Sequence, residues 1–306
     1  MLEIAVRAEK GWRRFVRPGV EEFGALVAGL GDPGNRFLIV QHVPDLPEQF
    51  IQVWHEEGGG YLVEYRDGGP DRQFETTVDG PDRALAVIVG WARREAGWDA
   101  GLDWKPVDLG PVEPVPPLVL DEEDARLLEE RVRLAIVAGY ADRDQLSERA
   151  VEYLVTEEGR PVLAAQAGHL VDRLWLERVA EQAEWEGETD PERLTRAFLA
   201  LEAVGITARE DFACCRSCGQ AEIGAAGRPD ARGFVYFHMQ CTEAAARGHG
   251  LTLLYGGFDG SADTTASIGR EVVAALDAVG LPTRWDGDPG TTIDVTTMDW
   301  RKRLVG

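Results

Sequence analysis

All four cysteines of this 306-residue chain, Cys214, Cys215, Cys218 and Cys241, fall in one short stretch that also holds His238. Thiolate and imidazole are the ligands a zinc ion takes, and two chelating pairs joined by a loop are a common way to supply four of them. Cys215-x-x-Cys218 and, nineteen residues later, His238-x-x-Cys241 have that form. The spacing therefore predicts one structural zinc held by Cys215, Cys218, His238 and Cys241. Gly219 would supply the left-handed residue of the turn behind the first two thiolates. Cys214 is then a spare: a donor beside the site, an alternative ligand or a packing residue. Four protein ligands leave no coordination position for water or substrate, so Lewis-acid catalysis does not follow; without Cys241 an open position returns. Structural zinc contributes on the order of 10 kcal/mol, enough to decide whether a small sheet folds. Two other readings of these residues stay open. They can be ordinary buried thiols, or Cys214, Cys215 and Cys218 can exchange as a redox group. Redox C-x-x-C motifs sit between a strand and a helix, and the sequence does not show that context clearly.

Other groups that could do chemistry are weaker. Glu56 and Glu57, or Asp259 and Asp263 in a Gly-rich loop, can pair as acid and base, but loop carboxylates usually serve as caps and turn residues. His42, His55, His169 and His249 are scattered without metal-ligand spacing. No nucleophile elbow, phosphate-binding loop or dinucleotide fingerprint is present. No catalytic residue is assigned, and the chain reads as non-enzymatic; the alternative is a metal- or thiol-dependent enzyme using His238 and the Cys214–Cys218 cluster.

The formal net charge is −22, which disfavours nucleic acid and anionic membranes and favours a basic protein partner. Residues 121–205 hold 21 acidic and 10 basic residues, so they carry half of that charge. The Trp300-Arg-Lys-Arg303 run is too short to make a nucleic-acid site in so acidic a chain. Lys10, Lys105 and Lys302 are the only lysines and Asn35 the only asparagine, a composition that resembles translation from a GC-rich bacterial genome. The N-terminal MLEIAVRAEK lacks the apolar core of a secretory signal, and no run reaches the ~20 apolar residues of a membrane span. A cytoplasmic location is expected, where clustered cysteines bind metal or do redox chemistry rather than form structural disulfides.

The elements that must position these groups read as α+β. Phe37–Val43, Phe50–His55, Tyr61–Tyr65 and Gln73–Val78 are β-rich runs broken by Pro, Gly and Asp, which predicts an antiparallel meander. Tyr61, Val63 and Tyr65 alternate with Leu62 and Glu64, which predicts an aromatic buried face, and helices from Pro18 to about Leu30 and from Pro81 to about Ala96 cover that face. Trp91, Trp98 and Trp104 pack around the second helix. The prolines between residues 106 and 118 predict a semi-rigid linker. The expected division is 1–105, linker 106–118, and 119–306. The last part opens with four helices: Asp121 to Gly139, one around Leu146–Val155, Val162 to Trp185, and Asp190 to Gly205 with Pro191 in its first turn. Then come Phe234–His238, a helix over 242–247, Leu251–Tyr255, a helix over 268–279, Thr283–Trp285 and Thr292–Thr296. This is a small mixed α/β sheet carrying a zinc knuckle. Its helical crossovers favour some parallel pairing.

The stretches Thr189–Phe198, Gly205–Arg209, Cys214-Cys-Arg-Ser-Cys-Gly219, Arg232–His238, Ile268–Val273 and Trp285-Asp-Gly287 resemble an uncharacterised domain family of unknown function common in high-GC bacteria. The resemblance runs from about residue 121 to the end. It implies no activity, because the family carries none, and in its pattern an Asp often stands where this chain has Cys241. The N-terminal part is similar to small bacterial immunity proteins, which implies an inhibitor that neutralises a basic toxin by protein binding.

Overall fold

A computed structural model describes residues 1–111, 113–157 and 159–304; position 112 of the Pro-rich linker lies outside the described residues. The N-terminal region is a seven-stranded antiparallel sheet in the order β2-β1-β3-β4-β5-β6-β7. Its strands are β1 (Ile4–Ala8), β2 (Arg14–Val16), β3 (Phe37–His42), β4 (Gln49–His55), β5 (Tyr61–Asp67), β6 (Gln73–Val78) and β7 (Lys105–Pro106). The meander β3 to β6 matches the sequence reading. β1 and β2 extend it, because Ile4, Val6 and Ala8 alternate into the core opposite Val40 and Leu38. Helices α1 (Val20–Ala28) and α2 (Pro81–Ala92) cover the face formed by Val40, Ile51, Val53 and Val63. Trp91 is buried, while Trp98 and Trp104 meet Tyr65 edge-on at 5.0 and 4.8 Å, so the tryptophans do pack around α2.

The next region is helical: α3 (Glu122–Ala138), α4 (Arg143–Glu152), α5 (Ala164–Ala183) and α6 (Asp190–Ala203). Asp121 caps α3 by accepting the Asp124 amide, and Gly139, at φ +81°, ends it in the left-handed conformation. In α6 the cap is Thr189 rather than Asp190, with Glu192 closing a capping box, so Pro191 sits one position further into the first turn. α3, α4 and α5 share a core around Val132, Leu146, Val171 and Trp175, into which Leu304 inserts. This layer is tied to the N-terminal sheet through buried Asp45, which accepts Arg143 Nε at 2.7 Å; its carbonyl accepts Trp175 Nε1 at 2.9 Å.

The third region is a five-stranded sheet, β11-β12-β10-β9-β8. Its strands are β8 (Ile206–Arg209), β9 (Gly233–Tyr236), β10 (Leu251–Gly257), β11 (Thr283–Arg284) and β12 (Ile293–Val295). Helices α7 (Arg216–Ala226), α8 (Met239–Ala246) and α9 (Ala262–Ala278) lie between them. The expected run of strand, helix, strand, helix, strand, strand is present from β9 onward. The expected parallel pairing is present in one pair of strands. α8 joins the antiparallel neighbours β9 and β10, α9 crosses from β10 to β11 with β12 between them, and the parallel pair is β8 with β9 across α7. The basic C-terminal run is neutralised: Lys302 Nζ meets Glu210 at 2.9 Å, Arg303 meets Glu192 at 2.7 Å, and Trp300 is buried. Among the described residues no helix is long and apolar enough to cross a membrane.

Candidate metal centre

Parallel pairing of β8 with β9, Thr207 opposite Phe234 and Arg209 opposite Tyr236, sends the chain out of both strands at the same edge of the sheet. Two helices begin there, with Cys215 as the cap residue of α7 and His238 as that of α8. The loop from β8 to α7 is held against the exit of β9: the Phe212 amide donates to the Phe237 carbonyl at 2.8 Å and the Met239 amide to the Ala213 carbonyl at 3.1 Å. Thr242 Oγ1 adds a 2.6 Å bond to Asp211. Asp211 and Ala213 have φ of +47° and +63°, left-handed values that cost non-glycine residues about 1–3 kcal/mol each and persist only where surrounding contacts over-determine them. Those hydrogen bonds supply that determination.

The turned loop delivers Cys214, Cys215 and Cys218 to the start of α7 with their sulfurs all within 4.8 Å of one another. Cys214 Sγ and Cys218 Sγ are 3.5 Å apart. Among the described residues this is the only group of three or more His, Cys, Asp or Glu side chains so placed. Cys214 is exposed and the other two are half-buried. The Cys218 backbone N–H, with help from the Cys218 and Cys214 thiols, holds the Cys215 thiol below its ordinary range. Side-chain hydrogen bonding with Cys214 and then Cys215 pushes the Cys218 thiol up to about 11. Cys215, at a helix N-terminus where the peptide dipoles favour its anion, thus loses its proton more readily than Cys218, which retains its own to higher pH. A metal entering the site displaces that proton.

Of the four ligands expected from the sequence, the structure brings together Cys215 and Cys218, and it adds Cys214. His238 and Cys241 form a separate pair, Nε2 to Sγ 3.5 Å, and neither joins the three-sulfur group. Cys241 is on the core side of α8, among Tyr236 and Phe237, and burial pushes its thiol up. Burial, reinforced by the Arg216 cation and opposed by Asp211, lowers the His238 imidazole, whose Nδ1 has no hydrogen-bond partner. The closed four-ligand arrangement is therefore not the one assembled at the head of α7.

Gly219 also has a different role from the one expected. It lies inside α7, not in a left-handed turn, and a Cβ there would stand 2.5 Å from Cε2 of Tyr236. Glycine is needed so that α7 can rest on the Tyr236 ring, whose hydroxyl donates to the Arg216 carbonyl at 3.3 Å. The strand-before, helix-after context that the sequence did not reveal is present as β8 and α7. The signal that could have found it is three cysteines within five residues, Cys214, Cys215 and Cys218, soon after the short apolar run at Ile206.

A comparison with known families settles the larger context. The family described as a domain of unknown function (DUF6891) matches residues 121–304, from the cap of α3 to the last described residue. The chain belongs to that family. The cysteine cluster lies within the DUF6891 domain, whereas the N-terminal sheet precedes it. No curated protein and no solved structure matches the chain.

Three of the remaining candidates make packing or turn contacts. Asp259 accepts the Ser261 amide and the Thr264 hydroxyl, as a turn carboxylate does. His42 stacks on Trp91 at 4.0 Å and His55 on Tyr61 at 4.0 Å.

Proposed function

We propose that the DUF6891 domain of this chain is a metal-binding module that holds a soft divalent cation, zinc by its ligand chemistry, through the thiolates of Cys214, Cys215 and Cys218. The observation that carries this reading is the convergence of three sulfurs within 4.8 Å. Ligands 2.3 Å from a tetrahedral zinc stand about 3.8 Å apart, so the cluster needs only small side-chain adjustments. A scaffold role is less well supported than the sequence suggested. The three donors come from five consecutive residues, so a bound ion ties no distant segments together. With only three sulfur donors in the cluster and Cys214 exposed, a bound ion would keep a coordination position for water, a substrate or a donor from another protein. This open site suits metal transfer, sensing or metal-assisted chemistry.

Elemental analysis of the purified full chain, with cobalt substitution, tests the reading. One metal per chain and a thiolate-to-cobalt absorption band lost in C215S and C218S support it. A folded protein that takes up neither zinc nor cobalt refutes it.

A second reading rests on charge. The net charge of −22 favours docking of a basic protein, as an inhibitor or immunity-type role requires. Pull-down at low and high salt tests it: a stoichiometric partner released by salt supports the reading, and recovery of none counts against it.

A further inference from the structure

The three thiols are arranged for more than holding an ion. Cys214 is the exposed member, in the loop between β8 and α7, and Cys218, in the first turn of α7, has its Sγ 3.5 Å away. We propose that Cys214 and Cys218 form a thiol–disulfide exchange couple whose substrates are disulfides and whose oxidised form cannot hold the metal. The release of metal rests on the three-thiolate reading above; the exchange chemistry does not.

The geometry assigns the roles. An incoming disulfide RS–SR reaches the exposed Cys214 first. The Cys214 thiolate attacks one sulfur, the S–S bond breaks, and RS⁻ leaves to take up the proton that Cys214 gave up. The product is a mixed disulfide on Cys214. Cys218, already within hydrogen-bonding distance of Cys214 Sγ, then attacks that sulfur. The second RS⁻ leaves and takes the Cys218 proton. The balance is one external disulfide reduced to two thiols and two protein thiols oxidised to a Cys214–Cys218 disulfide; a dithiol reductant reverses it. The two sulfurs stand 3.5 Å apart, so forming an S–S bond of ~2.05 Å asks them to approach by about 1.5 Å. Closure takes two of three thiolates from the metal and leaves Cys215 alone, too few donors to retain a zinc ion. Cys241 is excluded from this chemistry by its burial.

Oxidised glutathione is the probe. The full-length protein, as zinc-loaded and as chelator-treated samples, is incubated with it. The readouts are glutathione released, zinc released to a chromophoric chelator, and disulfide connectivity by peptide mapping under non-reducing conditions. Expected are two glutathione molecules per chain, a Cys214–Cys218 linkage in both samples, loss of the zinc in step with closure, and full reversal by dithiothreitol. C218S is expected to stop at a mixed disulfide on Cys214 with one glutathione released. C214S slows glutathione release by at least tenfold, while C241S leaves it within twofold of the parent. A chain that takes up no zinc at the loading step but still closes Cys214 to Cys218 overturns the metal reading and upholds the couple. Connectivity through Cys215 or Cys241, or no closure in either sample, overturns the couple and leaves the metal reading standing.

Discussion

Replacing Cys214 and Cys241 one at a time separates the ligand set drawn from sequence spacing from the one assembled in the fold. By spacing alone Cys241 is a ligand and Cys214 is spare; in the structure Cys214 is one of three converging sulfurs and Cys241 is a core thiol paired with His238. Four-ligand structural zinc sites have apparent binding energies of about 10–16 kcal/mol, or about 3–4 kcal/mol per donor. At 1.4 kcal/mol per decade, losing one true donor weakens binding by more than about 100-fold. C214S is therefore expected to lower zinc affinity by at least about two orders of magnitude with little effect on stability, because the side chain is exposed. C241S is expected to leave affinity within about threefold. Its cost falls on stability instead, about 1–2 kcal/mol for a hydroxyl set among apolar neighbours with one weak partner. Competition titration against a chromophoric chelator measures the first quantity and urea unfolding of the metal-free protein the second. Equal loss of affinity in both variants, or loss only in C241S, would refute the structural assignment.

Three further outcomes follow from the packing. Burial, helped by the Arg94 cation, lowers the His42 imidazole to about 4, from an ordinary 6.5. The unfolded chain then binds a proton that the folded chain refuses as pH falls from about 6.5 toward 4, so stability is present above that window and is lost within it. The loss is about 2 kcal/mol at pH 5. H42F, which keeps a ring against Trp91, should flatten the change in urea midpoint between pH 7 and pH 5, and an unchanged pH dependence would contradict the assignment. Gly219→Ala gains about 0.5–1 kcal/mol of helix propensity but forces a methyl 2.5 Å from the Tyr236 ring, an overpacking that costs about 1–3 kcal/mol. A net fall in thermal midpoint is expected, and a rise would mean that α7 does not rest on Tyr236. Asp45→Ala leaves Arg143 half-buried with Asp172 as its remaining partner. A loss of about 2–3 kcal/mol, toward the low end for breaking a buried pair, is expected in chemical denaturation, with unfolding of the N-terminal sheet separating from that of the helical layer. A single unshifted transition would show that this contact does not couple the two layers.

Local chemistry in the sequence was enough to place most elements. The meander from β3 to β6 was legible because Tyr61, Val63 and Tyr65 alternate along a strand, and α3 and α6 because Asp121, Gly139, Pro191 and Gly205 punctuate them. β8 and α7 were not. Ile206-Thr-Ala-Arg209 is four residues long, too short to show a period, and Arg216–Ala226 is rich in glycine and alanine with a weak apolar stripe, so the run of cysteines drew attention to a turn instead of a helix.

The same division holds for the site. That sulfur chemistry is concentrated between residues 214 and 241 of an acidic chain could be read from residue types and spacing alone. Which sulfurs meet was decided by tertiary structure. Parallel pairing of β8 with β9 puts both helix starts on one edge, the strained Asp211–Ala213 turn lifts Cys214 beside Cys218, and the inward face of α8 draws Cys241 into the core. Spacing along a chain limits which side chains can reach one another. The direction in which each helix presents them, set by what its other face must bury, selects the ones that do.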